Sequence, residues 1–488
     1  MKKTFQYFPL LLVSFLFVTL FSRSTSFLYL FEGADPSIFK QMGRALLNGK
    51  ILYIDYFDNK GCLLYFIHAL ALWLGGDNFL LFFQTISLFV TLLIWNKMLT
   101  LYQSRRQRMI CLAVALTMLF CFYGAGDQTQ EWCLPFISYP LLLFLQANKA
   151  KSEIPQRQLF LIGLCFGVIT FIQINNACAF LGFVAYYWIQ CLLKKEFRQL
   201  FRSVGLFLAG WLVVVIPCVL YFYFKAGWHG VYEMVYASFL SNFEYMGIQH
   251  RRKWIYWLPY LVFLLSLLLL KLLNYRKDKD LLIPFLISLS LFVGTFGKLC
   301  NSFYLIAIVP LVIVGLMKIN LKEHKIVKVY LMVTASICAL FMGSISVFHV
   351  VNDLFLRNEK EVEIYKDFHR CVENIPENER DSIYNYNLFW HGTSMMEHEG
   401  LVQCNRALYS TLAFELPTLK KEEQSKHLVP PKWMMVSYNM KYYLEDVDFI
   451  QANYDLCCEF HYDRLYLRKP LIGNEFKVCF YQRKPLTR

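Results

Sequence analysis

The most distinctive stretch of this sequence is residues 31–66, where charged residues lie among aromatic and aliphatic ones. It contains Glu32, Asp35, Asp55, Asp58 and Lys60. Carboxylates accept protons and ammonium groups neutralise anions, so this loop has the residue types for proton transfer beside an anionic group. The apolar positions within 36–47 predict an amphipathic helix on a membrane surface, with Asp35 as its N-cap. One interpretation is that Asp35 only caps the helix and the other acids are solvated. Capping alone does not explain several acids and a lysine at the same lipid interface, so the loop is also a candidate chemical site.

A second polar segment lies at 124–136, where Asp127 and Glu131 precede an apolar run. A helix dipole alone would favour acids at this position. The residues Gln-Ile-Asn-Asn at 173–176 interrupt two further apolar runs. Polar residues at membrane depth are usually paired or functional, although hydrogen bonding at a helix break would explain these equally well.

Two cationic positions complete the candidate set. Arg251 and Arg252 precede an apolar run on the side where few basic residues are expected, which suits either a lipid-phosphate clamp or a headgroup anchor. Lys298 lies between two apolar runs, close to Asn301 and Tyr304. A role in a donor pocket and simple snorkelling to the interface both fit Lys298.

The composition defines the scaffold that must position these residues. Of 488 residues, 57% are hydrophobic and only 17% are charged, whereas soluble domains have about 45–50% and about 25%. This excludes an ordinary soluble enzyme, a disordered chain and a fibrous repeat. The net charge of +14 is distributed in short clusters between apolar runs, as in cytoplasmic loops of membrane proteins, and not as a nucleic-acid-binding face. We therefore predict an α-helical polytopic membrane protein.

Eleven apolar runs are candidate membrane spans. They are 6–22, 79–100, 108–124, 132–147, 158–173, 176–193, 203–224, 255–273, 281–297, 303–317 and 329–349. The run 62–75 is too short to span and is predicted to be a re-entrant or interfacial helix. Lys2 and Lys3 place the N-terminus in the cytoplasm, and the first span is predicted to be an uncleaved anchor.

Two domains are predicted, a membrane domain at 1–349 with a first outer loop at 23–61, and a small outer α/β domain at 350–488. Strands are expected at 382–388, 432–438, 455–462 and 476–483, and a helix at 444–453. The tail has five cysteines whose pairing the sequence does not reveal. They are Cys371, Cys404, Cys457, Cys458 and Cys479.

The first outer loop resembles the first periplasmic loop of GT-C glycosyltransferases, within the broad superfamily of dolichyl-phosphate-mannose protein mannosyltransferases and aminoarabinose transferases. The matching positions are Asp35, Ser37, Phe39, Gly43, Leu47, Gly49, Tyr53, Asp55, Phe57, Asp58, Lys60 and Gly61. Asn59 and Cys62 replace the His and Pro that usually flank the Lys-Gly pair. The resemblance is specific within 33–66 and general elsewhere.

This resemblance implies an inverting transfer of a sugar from an undecaprenyl-phosphate carrier on the outer face of a bacterial cytoplasmic membrane. Asp35 would be the general base, and the leaving phosphate would be bound by Lys60, Arg251, Arg252 and Lys298. Substrate-binding positions would be Asp55, Asp58, Asp127, Glu131, Asn301 and Tyr304. The acceptor would be an envelope glycan, lipid or protein. No cofactor is expected; Asp35, Asp127 and Glu131 would be the ligands of any divalent cation, but no tight carboxylate motif indicates one.

Two other classes are considered. A flippase of lipid-linked saccharides or a small-molecule permease should have paired halves and ionisable residues near the bilayer midplane. This sequence has no evident duplication, and its acids cluster in outer loops, which favours the enzyme. A polysaccharide polymerase or ligase would place its key residues in a large late loop, whereas here the first loop is the distinctive one.

Overall fold

The computed structural model describes residues 7–24, 33–122, 126–242, 244, 282–295, 302–318, 359–380, 382–385, 392–404, 406, 431–437, 447–463 and 475–485. The chain divides into two compact units. Unit 1 comprises residues 1–25 and 59–350, and unit 2 comprises residues 26–58 and 351–488. The predicted membrane domain includes the first outer loop, whereas packing groups most of this loop with the C-terminal tail. We therefore describe the loop as part of unit 2.

All regular secondary structure among the described residues of unit 1 is helical. Its helices are α1 (Phe8–Phe21), α3 (Cys62–Gly75), α4 (Asp77–Thr100), α5 (Arg105–Phe122), α6 (Thr129–Ala150), α7 (Gln156–Thr170), α8 (Ile174–Ala177), α9 (Ala179–Leu193), α10 (Phe197–Val235), a π-helix (Tyr236–Leu240), α11 (Leu282–Thr295), a 3-10 helix (Ser302–Ile308) and α12 (Val309–Lys318). Helix α2 (Ala34–Leu47) belongs to unit 2. Nine of the predicted spans coincide with these helices. The predicted spans 255–273 and 329–349 lie outside the described residues.

Three described helical segments are long and apolar enough to cross a membrane, and five shorter apolar helices accompany them. The long segments are Asp77–Thr100, Ile174–Leu193 and Phe197–Leu240. Helix α10 exceeds its predicted range because a second helical stretch follows a kink at Ala226 and Gly227, where Gly227 has φ +61°. Helix α3 has 14 residues, in the short run that was predicted not to span.

Helices α7 and α10 pack backbone against backbone. A Cβ atom on Gly163 would lie 2.0 Å from the carbonyl oxygen of Phe207, and one on Gly210 would lie 2.1 Å from that of Phe160. In lipid, where apolar side chains gain little by associating, such small residues allow helices to approach closely and pack tightly. These two glycines therefore fix the α7–α10 pair.

The helix ends of unit 1 form two groups. At one end, which we call the basic end, α4, α6 and α9 finish and α5, α7 and α10 begin, within residues 101–108, 148–157 and 194–202. Hydrogen bonds join its parts, from Lys149 Nζ to the Leu101 carbonyl and from the Tyr186 hydroxyl to Asn148 Oδ1. At the opposite end, the Asp127 end, Gln84 of α4 bonds Ser22 just after α1. The described basic clusters thus share one end, as the alternation of spans predicts.

Unit 2 contains α2 (Ala34–Leu47), α13 (Glu359–Glu373), α14 (Gly392–His398), α15 (Val447–Asn453) and a four-stranded sheet. The strands are β1 (Ile383–Asn385), β2 (Trp433–Ser437), β3 (Tyr454–Asp463) and β4 (Glu475–Arg483), in the order β1-β2-β4-β3. Strand β1 pairs parallel with β2, and the other pairs are antiparallel. All four strands and α15 lie within or close to their predicted ranges.

A disulfide between Cys371 and Cys458 joins α13 to β3. Cys371 belongs to a buried core cluster that also contains Phe368, Phe460 and Phe480, and the half-buried Cys458 packs against this cluster. Among the described residues, Cys404, Cys457 and Cys479 form no disulfide. A structural disulfide is typical of an oxidising compartment.

Candidate active site

Asp35 lies in the first turn of α2 in unit 2. The helix begins at Ala34 and its N-cap is Gly33, so the prediction that Asp35 is the N-cap is wrong. The backbone N–H groups of the first helical turn have no acceptor within the helix, so a proline is tolerated there. The helix can therefore begin at Ala34 and include Pro36 in its first turn. The carboxylate of Asp35 is half-exposed at the positive end of the helix dipole, where a negative charge is favoured.

The orientation of α2 is fixed by Glu397 on α14. Its Oε1 atom lies 2.7 Å from Arg44 Nη2 and 3.7 Å from Lys40 Nζ. Gln41 Nε2 adds a hydrogen bond of 3.3 Å to the carbonyl of Thr393. Lys40 is only 3% exposed, so its charge needs this carboxylate nearby. The helix that carries Asp35 is thus held by a residue from the far end of the sequence.

The remainder of the first loop is fixed by Arg406. The Arg406 guanidinium donates to the carbonyl of Tyr53 through Nε at 2.9 Å and Nη2 at 2.5 Å, and it lies over the Phe57 ring. Tyr53 has φ +68°, a left-handed conformation that non-glycine residues seldom adopt. The neighbouring Tyr56 hydroxyl donates to the carbonyl of Gln403 at 2.6 Å. Burial, with smaller contributions from Cys404 and Asp55, raises the pKa of Tyr56 to about 12, so it remains a neutral donor.

The two later acids of this loop differ in environment. Asp55 is exposed, and its Oδ2 atom accepts a hydrogen bond of 2.7 Å from the backbone N–H of Ile51, which closes the turn. Asp58 is fully buried. Of the two predicted substrate-binding acids, only Asp55 presents its side chain to solvent.

Lys60 lies in unit 1, next to Gly61, the N-cap of α3. Its ammonium group donates to Asn59 Oδ1 at 2.7 Å, and the Asn59 carbonyl accepts from Asn242 Nδ2 at 3.0 Å. The N–H groups of Gly61 and Leu63 donate to the carbonyls of Ile172 and Phe171, at 3.0 and 2.9 Å. The break after α7 therefore accepts hydrogen bonds from the start of α3. Lys60 and the N-terminus of α3 together make this position electropositive.

Gly61 is required for this arrangement, because a Cβ atom on it would lie 2.1 Å from the Phe171 carbonyl oxygen. We expect Gly61→Ala to displace the start of α3 and to destabilise unit 1 by about 1–3 kcal/mol. Thermal unfolding of the full-length protein in detergent measures the loss. Gly205→Ala is the matched control, since nothing lies within 4 Å of the added methyl group. Equal unfolding temperatures for the two variants would contradict the assigned packing.

Asp127 is the centre of a buried cluster in unit 1. Its Oδ2 atom lies 2.8 Å from His68 Nε2, and its Oδ1 atom accepts from Trp132 Nε1 at 2.7 Å. His68 Nδ1 lies 2.8 Å from the carbonyl of Leu64, and since a carbonyl only accepts, this nitrogen carries a proton. Asp127 and His68 are completely buried. His68 Nε2 and Asp127 Oδ2 therefore form a buried hydrogen bond in which either atom can be the donor.

This cluster holds the turn before α6. Asp127 has φ +54° and Gly126 φ +75°, and a Cβ atom on Gly126 would lie 2.6 Å from Ser22 Cα. The turn is thus tightly packed and conformationally costly, and its stability depends on the bonds to Asp127. The sequence prediction of Asp127 as a substrate ligand did not anticipate these partners.

We expect His68→Ala to cost about 3–5 kcal/mol of stability, because it leaves the Asp127 carboxylate buried with one partner removed. Thermal unfolding of His68→Ala, Asp127→Ala and the double variant tests this. The double variant should be little less stable than either single variant, since both remove the same interaction. Thr85→Val is the control, because the Thr85 hydroxyl is buried without a hydrogen-bond partner among the described residues. Additive losses would show that His68 and Asp127 are not coupled.

The other predicted positions are distributed as follows. Glu131 is the third residue of α6, and its carboxylate accepts from the backbone N–H of Gln128 at 3.1 Å in a capping box. Gln173 bonds Thr129 and Gln130, which explains one polar residue at the helix break. Tyr304 is half-buried in the 3-10 helix. Arg251, Arg252, Lys298 and Asn301 lie outside the described residues.

Within the described part of the chain, no group of three or more His, Cys, Asp or Glu side chains is arranged to hold a metal ion. Sequence reasoning missed four residues that position the predicted ones, namely His68, Trp132, Glu397 and Arg406. Only His68 could have been found from the sequence. It is the one residue in the apolar run 62–75 that ionises near neutral pH, and an ionisable residue in such a run normally has a polar partner.

No family model matches this sequence, and no curated protein matches it either. Among solved structures, ArnT from Cupriavidus metallidurans, crystallised with undecaprenyl phosphate, aligns with a TM-score of 0.60 and 10% identity over 98% of both chains. The Archaeoglobus fulgidus oligosaccharyltransferase, in complex with zinc and sulfate, aligns with a TM-score of 0.50 and 13% identity, over 93% of this chain and 72% of its own. The chain therefore shares the polytopic, mainly helical membrane fold of these two structures and has a small C-terminal α/β domain, as the sequence predicted.

Proposed function

We propose that this protein is an inverting glycosyltransferase that moves a sugar from a polyprenyl-phosphate donor to an acceptor hydroxyl. The observation that carries the proposal is the alignment with ArnT over 98% of both chains. The motif in the first loop supports it independently, since the charged residues of that motif are retained here. ArnT was crystallised with undecaprenyl phosphate, and we assign the same class of carrier to this chain.

In the proposed reaction, Asp35 takes the proton of the acceptor hydroxyl. The acceptor oxygen forms a bond to the anomeric carbon while the bond from that carbon to the phosphate oxygen breaks. The carrier leaves as polyprenyl phosphate, and the configuration at the anomeric carbon inverts. Asp35 is suited to this role because it is half-exposed and its helix is held in place by Glu397.

The leaving phosphate needs a positive partner, and we assign this role first to Lys60. Its position before α3 adds the partial positive charge of a helix N-terminus to that of the ammonium group. Arg251, Arg252 and Lys298 remain proposed phosphate partners on the strength of the sequence. Backbone hydrogen bonds to Ile172 and Phe171 anchor the residues after Lys60, so that its charge is pre-organised.

For the substrate-binding set the contacts suggest a division of roles. Asp55, Asn301 and Tyr304 remain proposed substrate ligands. Asp58, Asp127 and Glu131 are buried or hydrogen-bonded within the protein, and we assign them to positioning. The acceptor is proposed to be an envelope glycan, lipid or protein.

We place the reaction on the outer face of a bacterial cytoplasmic membrane, with the N-terminus in the cytoplasm and unit 2 outside. The shared end of the described basic clusters supports this orientation through the positive-inside rule. The disulfide between Cys371 and Cys458 supports an oxidising environment for unit 2.

The decisive experiment compares envelope glycans, lipids and proteins by mass spectrometry between a deletion strain and its parent. We expect one glycan, lipid or protein to lose a single sugar residue in the deletion strain and to regain it when the wild-type gene is restored. The same strain should accumulate the polyprenyl-phosphate sugar. An unchanged envelope together with an unchanged donor pool would contradict the proposed function.

A further inference from the structure

A polar cavity lies at the basic end of unit 1, on the opposite side from Lys60 and Asp127. It is formed where α6 and α9 finish and where α7 and α10 begin, and it contains about 460 Å³ of empty space, part of it open to solvent. Nothing in the proposed transfer reaction uses this cavity.

Charges of both signs line this cavity. Glu153 precedes α7 and Glu196 precedes α10, and both act electrostatically on Tyr187. Lys194 ends α9 on the same wall. Within the described residues, none of these three side chains forms a salt bridge. Two unpaired carboxylates and one unpaired ammonium group suit a ligand that carries both a cation and an anion.

Neutral donors complete the polar wall. The Tyr187 hydroxyl accepts a hydrogen bond of 3.1 Å from Gln199 Nε2, which leaves its own proton to donate to a ligand. The Tyr186 hydroxyl is already used, donating to Asn148 Oδ1 at 3.1 Å. Tyr187 and Lys194 can thus both donate to a phosphate oxygen, while the two carboxylates can accept from an ammonium group.

The apolar surface beside the cavity identifies the rest of the ligand. Ile189 and Leu193 directly precede the cavity-lining Gln190 and Lys194, and they are 51% and 79% exposed. Phe197, which follows Glu196, is 53% exposed. In a membrane-embedded helical unit, such residues contact acyl chains. A charged headgroup attached to acyl chains therefore fits better than a free metabolite.

We propose that this cavity binds the headgroup of a phospholipid that carries a primary ammonium and a phosphate, as phosphatidylethanolamine does. The ammonium lies between Glu153 and Glu196, and the phosphate lies against Lys194 and Tyr187. The site is separate from sugar transfer, and it gives the basic end a specific lipid partner.

Native mass spectrometry of the delipidated full-length protein tests the proposal. Dioleoyl phosphatidylethanolamine should bind about tenfold more tightly than dioleoyl phosphatidylglycerol, which lacks the cation, and than dioleoyl phosphatidylcholine, whose quaternary ammonium cannot donate hydrogen bonds. The double variant Glu153→Gln/Glu196→Gln should lose this preference. Lys194→Gln should weaken all three lipids to a similar extent. Asp77→Asn, a carboxylate in the first turn of α4 at the other end, should leave the preference intact.

Equal binding of the three lipids by the wild type, or a preference retained by the double variant, would overturn the proposal. Competition by soluble O-phosphoethanolamine at the concentration of the lipid would also overturn it, by assigning the site to a free compound. Amide hydrogen exchange tests the site in the wild-type protein, without any substitution. Residues 152–155 and 194–199 should exchange more slowly with phosphatidylethanolamine than with phosphatidylcholine, and equal exchange would count against the site.

Discussion

Asp35→Asn should lower the turnover number for sugar transfer by about 10²–10⁴-fold, the contribution usual for a general base. Asparagine keeps the size and most of the hydrogen bonding of the side chain but cannot take up the acceptor proton. The KM for the donor should change little, since Asp35 is proposed to act on the acceptor. Release of polyprenyl phosphate by the purified full-length protein measures both quantities.

The control for this variant is Asp455→Asn, which removes an exposed carboxylate from β3 of the same unit. It should retain wild-type turnover. Thermal unfolding should be nearly the same for both variants, because neither carboxylate is buried. An Asp35→Asn protein with full turnover would refute the role of Asp35 as base.

Lys60→Ala should produce the second largest effect, a decrease of about 10²–10³-fold in turnover, as when one pre-organised donor to a developing anion is removed. The phosphate carries more charge as it leaves, so the loss falls mainly on turnover. Binding of the product polyprenyl phosphate should also weaken, and its inhibition constant should rise.

Lys60→Arg separates charge from geometry. It retains the positive charge and should recover part of the turnover, whereas the planar guanidinium cannot reproduce the short bond to Asn59. Lys97→Ala, in the last turn of α4 at the basic end, should behave as wild type. Equal activity of Lys60→Ala and Lys97→Ala would remove Lys60 from the donor site.

Hydropathy predicted the helices of unit 1 well. Within a membrane the backbone N–H and C=O groups of an apolar segment must bond to one another, so each such segment forms a helix. Hydropathy failed at the end of α10, since the polar residues after Phe224 interrupt the apolar run while the helix continues beyond its kink to Val235. The strands of unit 2 were found from their β-branched and aromatic residues. The pairing of Cys371 with Cys458 spans 87 residues, and spacing alone carries no information about it.

The site was predictable only where one short motif contained it. The motif in the first loop identified Asp35 and Lys60. It did not identify the distant residues that hold them in place, such as Glu397, which contacts Arg44 across 353 positions of sequence. For Asp127, the sequence suggested a solvent-facing acid in an outer loop. The structure buries it, since His68 Nε2 and the N–H group of Trp132 replace water as its partners. The partners of a buried acid depend on which helices pack together. A single sequence does not contain that information.

The contact between α2 and α14 has a consequence for biogenesis. At about 5–20 residues per second, the ribosome takes roughly 20–70 s to travel from Arg44 to Glu397. Throughout that time the α2 residues Lys40 and Met42, nearly or completely buried in the finished protein, lack the α14 side chains that later contact this helix. Insertion of the spans must therefore precede completion of the first loop. A C-terminal truncation that removes α14 would leave an inserted but unfinished protein, and the tail cannot be exchanged between relatives without the loop it covers.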